Sequence, residues 1–224
     1  MSEVPLRRAL LSEFIATALL LIAVVGSGIA AERLSGGNVA IALLANAIAT
    51  GAALYGLIVS FGPISGAHMN PAVTVTAAIL DGFSWRFVAP YVCVQVAAAI
   101  CGVFVAHIMF DLPLLQASTH ARTGTGQWVG EIVATAGLLL VIWGGIRHEL
   151  TTTAAAVALY ITGAYWFTSS TSFANPAVTL ARSMTDTFAG IAPSDVIGFV
   201  AAQAVGLALA LALIRGLGLI RGVE

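Results

Sequence analysis

Two asparagines, Asn70 and Asn175, each open the same five-residue word, Asn-Pro-Ala-Val-Thr, at 70–74 and 175–179. Each word has the form of a helix start. An Asn at the N-cap accepts a first-turn backbone N–H through its side-chain oxygen. Pro71 and Pro176 then fall at N1, where the missing N–H has no intrahelical partner and φ is already helical. Ala72 and Ala177 follow. An Asn held in this way leaves its NH₂ group pointing off the helix end as a free donor pair. The chemistry available is therefore hydrogen-bond donation to a hydroxyl or a water, at two matched places.

Few other side chains could do chemistry. Glu13 and Glu131 lie inside apolar stretches, where an ionisable group is either a proton carrier or an acceptor for buried donors. His68 precedes the first word by two residues. A packed, hydrogen-bonded His is the favoured reading, and a pH gate is the other. Cys93 and Cys101 share one apolar stretch and read as small core residues rather than a disulfide or a metal pair. His107, His120 and His148 are scattered without ligand spacing, so no metal site is expected.

The elements that position these groups are membrane spans. Hydrophobic residues make up 59% of the 224-residue chain and charged residues 8%, and mean hydropathy is +1.00. That composition belongs to an integral membrane protein. The net charge of −1 excludes a general electrostatic case for nucleic acid. All nine basic residues are Arg. Six spans are expected, at 9–31, 39–61, 87–110, 128–146, 151–168 and 196–214, in a single domain over 1–224. The first run is long enough to span and shows no distinct cleavage site, so no cleavable signal peptide is expected. After each Asn-Pro word comes a short apolar stretch, 72–80 and 177–184. About ten residues rise roughly 15 Å, half of a hydrocarbon core of about 30 Å. These are half-helices, tolerated in a membrane only when buried in protein or lining a cavity.

The chain is also a repeat, approximately 1–115 and 120–224. Glu13-Phe14-Ile15-Ala16-Thr17-Ala18 matches Glu131-Ile132-Val133-Ala134-Thr135-Ala136, and Gln95 and Gln203 follow the two half-helices. Three crossings per half invert the second half, so the two half-helices enter from opposite faces and their N-termini meet near the midplane. Arginine counting places both termini inside: Arg7, Arg8, Arg86, Arg147, Arg215 and Arg221 are cytoplasmic, and Arg33, Arg122 and Arg182 lie outside. Two helix N-termini facing the midplane raise a barrier to cations. The two asparagines supply donors beside it, and a water accepting from both is poorly placed to relay a proton. The result is a passive path for small neutral solutes.

The segment Gly66-Ala67-His68-Met69-Asn70-Pro71-Ala72-Val73-Thr74, the second Asn-Pro-Ala and the paired Glu-x-x-x-Thr segments together resemble the major intrinsic protein family, the aquaporins and aquaglyceroporins. The resemblance covers nearly the whole chain. It implies an all-α fold of six transmembrane helices and two re-entrant half-helices, a right-handed bundle, a homotetramer with one pore per subunit, and no cofactor. The protein would sit in the plasma (inner) membrane and pass water, polyols, urea or metalloid hydroxides without energy coupling. With the repeat symmetry, it also implies that Glu13 and Glu131 support the re-entrant loops.

By spacing from the two asparagines, the family's outer selectivity filter falls on Thr50, Gly163, Ser172 and Val178. The family's usual aromatic and Arg are absent from the first and last of these. A quartet without ring or charge implies a wide constriction, suited to bulkier neutral solutes such as glycerol, arsenite or boric acid. Arg182, one turn beyond Val178 on nearly the same helix face, is either a salt-bridged mouth residue or a vestibule group replacing part of the missing charge. An inverted-repeat secondary transporter and an ion-conducting channel are the alternatives.

Overall fold

The computed structural model describes residues 4–219. Arg221, counted above among the cytoplasmic arginines, lies outside them. The described residues form eight α-helices: α1 (Leu6–Leu34), α2 (Val39–Ser65), α3 (Pro71–Leu80), α4 (Trp85–Met109), α5 (Thr125–Gly145), α6 (Leu150–Phe167), α7 (Pro176–Arg182) and α8 (Val196–Gly216). A single 3₁₀ turn, Pro193–Asp195, leads into α8.

Five helices, α1, α2, α4, α5 and α8, are long and apolar enough to cross a membrane. The 18 residues of α6 rise about 27 Å, close to the same thickness. Three threonines at its start, with Tyr160, Thr162 and Tyr165, make α6 less apolar than the others. These polar groups have partners inside the bundle: Thr162 Oγ1 donates to Ala158 O at 2.8 Å and Tyr160 Oη to Val133 O at 3.2 Å.

The packing follows the repeat. In the first half α1 packs on α2 and α4; in the second, α5 packs on α6 and α8. The halves join through α2 with α6, α4 with α7, and α3 with α8. A helix comes close to a neighbour's backbone at a glycine in each half. A Cβ on Gly102 of α4 would lie well inside contact distance of Ala18 O of α1, and one on Gly206 of α8 would sit 2.7 Å from Ile132 O of α5. No side chain fits there, so small residues set the approach of these helices.

Two of the boundaries that differ from the sequence expectation have a visible cause. Helix α2 runs on to Ser65, through Pro63, and ends at Gly66 in the left-handed conformation at φ 87°. A proline there removes one backbone bond without ending the helix, and glycine accommodates the left-handed cap. Helix α7 is only seven residues long and stops at Arg182, two residues short of the expected end. Its last-turn carbonyls turn to the loop instead: Met184 N donates to Ala181 O and Ile191 N to Arg182 O.

Candidate functional site: the half-helix junction and its cavity

Both half-helices start as their sequence requires. Asn70 Oδ1 accepts from Ala72 N at 2.9 Å, and Asn175 Oδ1 accepts from Ala177 N at 3.0 Å and Val178 N at 3.2 Å. The amides do more than the sequence implies. Asn70 Nδ2 donates to Ala174 O at 2.7 Å, and Asn175 Nδ2 donates to Met69 O at 2.8 Å. Each asparagine thus clasps the carbonyl that precedes the other. The expected free donor pair is corrected to one donor apiece, since the other N–H of each amide is occupied.

The loops that carry these carbonyls are held in unusual backbone shapes. Ala67 (φ 47°), Met69 (φ 49°), Thr171 (φ 59°), Ser172 (φ 53°) and Ala174 (φ 47°) all sit at positive φ without being glycine. Such residues cost on the order of 1–2 kcal/mol each and persist only where their surroundings compensate. The compensation comes from two fully buried carboxylates. Glu13 accepts from Ser65 Oγ and His68 N, both at 2.8 Å, from Met69 N at 2.7 Å and from Gln95 Nε2 at 2.8 Å. Glu131 accepts from Phe173 N at 2.8 Å, Ala174 N at 2.9 Å and Gln203 Nε2 at 2.6 Å. Charge-assisted bonds of this kind contribute about 1.5–3 kcal/mol each, enough to offset both the strain and the burial of a charge. The glutamines then tie each loop to its half-helix, Gln95 to Thr74 Oγ1 at 3.0 Å and Gln203 to Thr179 Oγ1 at 2.8 Å. His68 Nδ1 lies 3.1 Å from Thr74 Oγ1, and its ring packs edge-on against Phe83 and tilted against Tyr91.

A cavity of about 190 Å³ borders this junction and is lined by both asparagines. Aliphatic side chains from α1, α2, α5 and α6 make most of its wall, with Leu20, Ile58, Ile142 and Val157 among them. Among the described residues no Asp or Glu lines it. Thr50, Ser172 and Val178 all border the cavity. Ser172 Oγ is buried with no protein partner among the described residues.

Gly163 does not join them. The lumen face of α6 carries Thr153, Val157, Ile161 and Tyr165, a four-residue spacing. Two residues along, about 200° of turn, points Gly163 away. The aromatic-free, uncharged ring expected from spacing is corrected accordingly. Tyr165, Phe173 and Arg182 all border the cavity, and Tyr165 Oη sits 3.2 Å from Thr50 Oγ1. Arg182 is no salt-bridged mouth residue. It is 2% exposed, its guanidinium carbon lies 3.4 Å from the centre of the Phe173 ring, and its Nε donates to Ala189 O.

The segment joining α4 to α5 is laced over the loop that follows α7. Ser118 N donates to Ser183 O at 3.0 Å and Ala192 N to His120 O at 2.7 Å. Fully buried His107 is within hydrogen-bonding distance of Leu114 O and Thr185 Oγ1. Arg122 Nε donates to Gly190 O at 2.7 Å, and Arg122 N to Asp195 Oδ2 at 2.7 Å. Asp186, exposed at this surface, accepts from Thr119 N at 2.7 Å and Thr119 Oγ1 at 2.9 Å. Those bonds hold its carboxyl below the usual range.

Cys93 and Cys101 are exposed on α4 and are not core residues. A thiol is apolar enough to face hydrocarbon, so an apolar neighbourhood in sequence did not mean burial. No group of three metal-ligating side chains occurs among the described residues. Two wall residues, Tyr165 and Phe173, and Arg122 behind the second of them, were missed by sequence spacing. The four-residue rhythm of α6 signals Tyr165. Laying 65–70 on 170–175 pairs Phe173 with His68 and signals the second.

Comparison with known proteins agrees with this architecture. The family model described as Major intrinsic protein matches residues 1–164, ending short of the second Asn-Pro-Ala. The chain is 52% identical to aquaglyceroporin AqpS of Rhizobium meliloti (strain 1021), over 97% of this chain and 93% of that one. It is 33% identical to aquaporin NIP6-1 of Arabidopsis thaliana, over 62% of this chain and 45% of the plant protein. Among solved structures, the aquaglyceroporin from Plasmodium falciparum superposes with a TM-score of 0.68 at 20% identity, covering 94% of both chains. With its doubled Asn-Pro-Ala, inverted helix packing and these relatives, the chain belongs to the major intrinsic protein family.

Proposed function

We propose that this protein is a passive channel for water and small uncharged solutes, with glycerol-sized molecules and trihydroxy metalloids such as arsenite and boric acid among them. The observation that carries this reading is the cavity at the half-helix junction. It has an aliphatic wall, one free donor from each of Asn70 and Asn175, and no carboxylate. An aliphatic wall holds water and ions weakly, and the two donors replace part of a hydroxyl's hydration as it passes. A coupled transporter needs a coupling-ion site, and Glu13 and Glu131 are occupied by loop donors rather than facing the lumen. The aquaglyceroporin name of the relative AqpS supports glycerol as a solute.

Thr50, Ser172 and Val178 form the outer constriction in this reading, with Tyr165 in the place given to Gly163. The protein works as a homotetramer in the plasma (inner) membrane with both termini in the cytoplasm, an orientation supported by the arginine distribution. A stopped-flow uptake panel in liposomes (water, glycerol, urea, arsenite, boric acid) tests it. Uptake should follow the solute gradient alone, and accumulation driven by a proton or sodium gradient would overturn the channel reading.

A further inference from the structure

Arg182 is a buried cation without an anion. It is 2% exposed, and among the described residues no carboxylate lies within ion-pairing range of it. Its Nε is taken by Ala189 O, while its Nη groups have no acceptor among the described residues. Its guanidinium rests on the Phe173 ring at 3.4 Å. A second guanidinium, that of Arg122, lies 5.1 Å from the same ring centre. Arg122 points its donors into carbonyls, Gly190 O at 2.7 Å and Ser170 O at 3.4 Å, and does not line the cavity. Arg182 does.

A charge withdrawn from bulk water needs a partner or a lumen that supplies one. The Phe173 face offers partial compensation to a cation, and the carbonyl bond offers more, but neither neutralises Arg182. Two like charges around one ring also reinforce each other's field. The unspent donors of Arg182 are therefore presented to the cavity, in a planar fork that fits oxygen atoms of a small planar anion. Ser172, whose Oγ is buried without a protein partner among the described residues, borders the same cavity.

We propose that the Arg182 side of the cavity is a binding subsite for small inorganic oxyanions, with Arg182 as its primary ligand and Phe173 as the platform that holds it. A bound anion occupies the solute path and slows neutral flux. The subsite rests on the cavity being that path.

The test uses the full chain in liposomes, with glycerol uptake followed in potassium nitrate and in potassium gluconate of equal ionic strength. Gluconate is too bulky for the subsite and serves as reference. Uptake should fall about two-fold once nitrate reaches its dissociation constant. Arg182→Leu and Arg182→Gln should each lose this sensitivity. Equal uptake in the two salts, or nitrate slowing either variant as much as the parent, would overturn the proposal. Should neither variant insert, ¹⁵N-arginine NMR of the parent decides. The Arg182 Nε–H, shifted by the ring beneath it, moves with nitrate if the subsite exists and stays still if it does not. Absence of glycerol uptake even in gluconate would instead defeat the channel reading itself.

Discussion

Thr50 Oγ1 and Tyr165 Oη stand 3.2 Å apart, joining α2 to α6 across the 115 residues that separate them in sequence. Both side chains are buried, and both border the cavity. The hydrogen bond ties the two halves of the repeat together at the lumen wall. Removing it while keeping the ring, with Tyr165→Phe, should lower stability by about 1 kcal/mol and leave Thr50 free to bond a solute. Tyr165→Ala should instead widen the path, so that uptake of solutes larger than glycerol rises. Uptake by size-graded polyols measures this, and an unchanged size profile in Tyr165→Ala would remove Tyr165 from the constriction.

The asparagine clasp gives a second test. Asn70→Asp and Asn175→Asp each replace a donating amide with an acceptor that faces a carbonyl, Ala174 O or Met69 O. Loss of the bond and exposure of two oxygens to each other should cost on the order of 2–3 kcal/mol. The new carboxylate would also weaken the cation barrier. Lower melting temperature in detergent and potassium current in bilayers are expected together. Normal melting with no current would show that neither amide matters to the junction.

Val178→Arg puts a guanidinium on the turn before Arg182 and on nearly the same face. The long side chain should narrow the path and bring a second cation beside an unpaired one. Glycerol uptake is expected to fall about ten-fold or more, a barrier increase of roughly 1.4 kcal/mol, while water flux falls much less. Measured beside it, Arg182→Ala discriminates the two positions. A large selectivity change in Arg182→Ala with little in Val178→Arg would place control of passage one turn further along α7.

Glu131→Gln tests the loop staple. One carboxylate oxygen becomes an NH₂ group set against Phe173 N, Ala174 N or Gln203 Nε2, all of which donate. An unsatisfied buried donor and a lost charge-assisted bond should cost about 3–5 kcal/mol. The positive-φ residues beside Asn175 would then relax. Thermal stability and yield of folded protein report it, and a variant as stable as the parent would show that the strain is held elsewhere.

Acid should loosen the outer surface before the core. The Asp186 carboxyl is held down first by the Thr119 backbone N–H, then by the Thr119 hydroxyl. A carboxylate with a lowered pKa contributes its full tie above its unfolded value of 3.8, and loses it as pH falls through the lower folded value. Proteolysis of the 111–124 segment should therefore stay slow down to about pH 4 and quicken below it. In Asp186→Asn the acid-dependent step should disappear.

Much of the fold was legible because the bilayer forces it. Apolar runs of spanning length and two capped half-length runs leave few arrangements, and most helix ends fall within a few residues of expectation. Glu13, Glu131 and their glutamines were legible through the repeat. The lumen wall was harder to read. Counting back from Asn175 put Gly163 on the wall, whereas the rotation of α6 puts Tyr165 there, and a count along the chain carries no information on rotation. Arg182 was ambiguous for a related reason. Whether its guanidinium meets an acid or an aromatic ring depends on Phe173, which the loop's positive-φ residues aim. Sequence shows the loop but not the aim.

The reciprocal clasp also fixes an order of assembly. The carbonyl that receives Asn70 lies 104 residues further on, and the amide that reaches Met69 O comes from 106 residues away. At roughly 5–20 residues per second, the first half-helix waits on the order of ten seconds on the ribosome for its counterpart. During that interval Glu13 and Gln95 can already grip the first loop, since all their partners belong to the first half. What cannot exist is the junction. The channel is therefore completed last, when the second half arrives. Until then the nascent chain in the membrane has only half a junction, with nothing yet to clasp Met69 O.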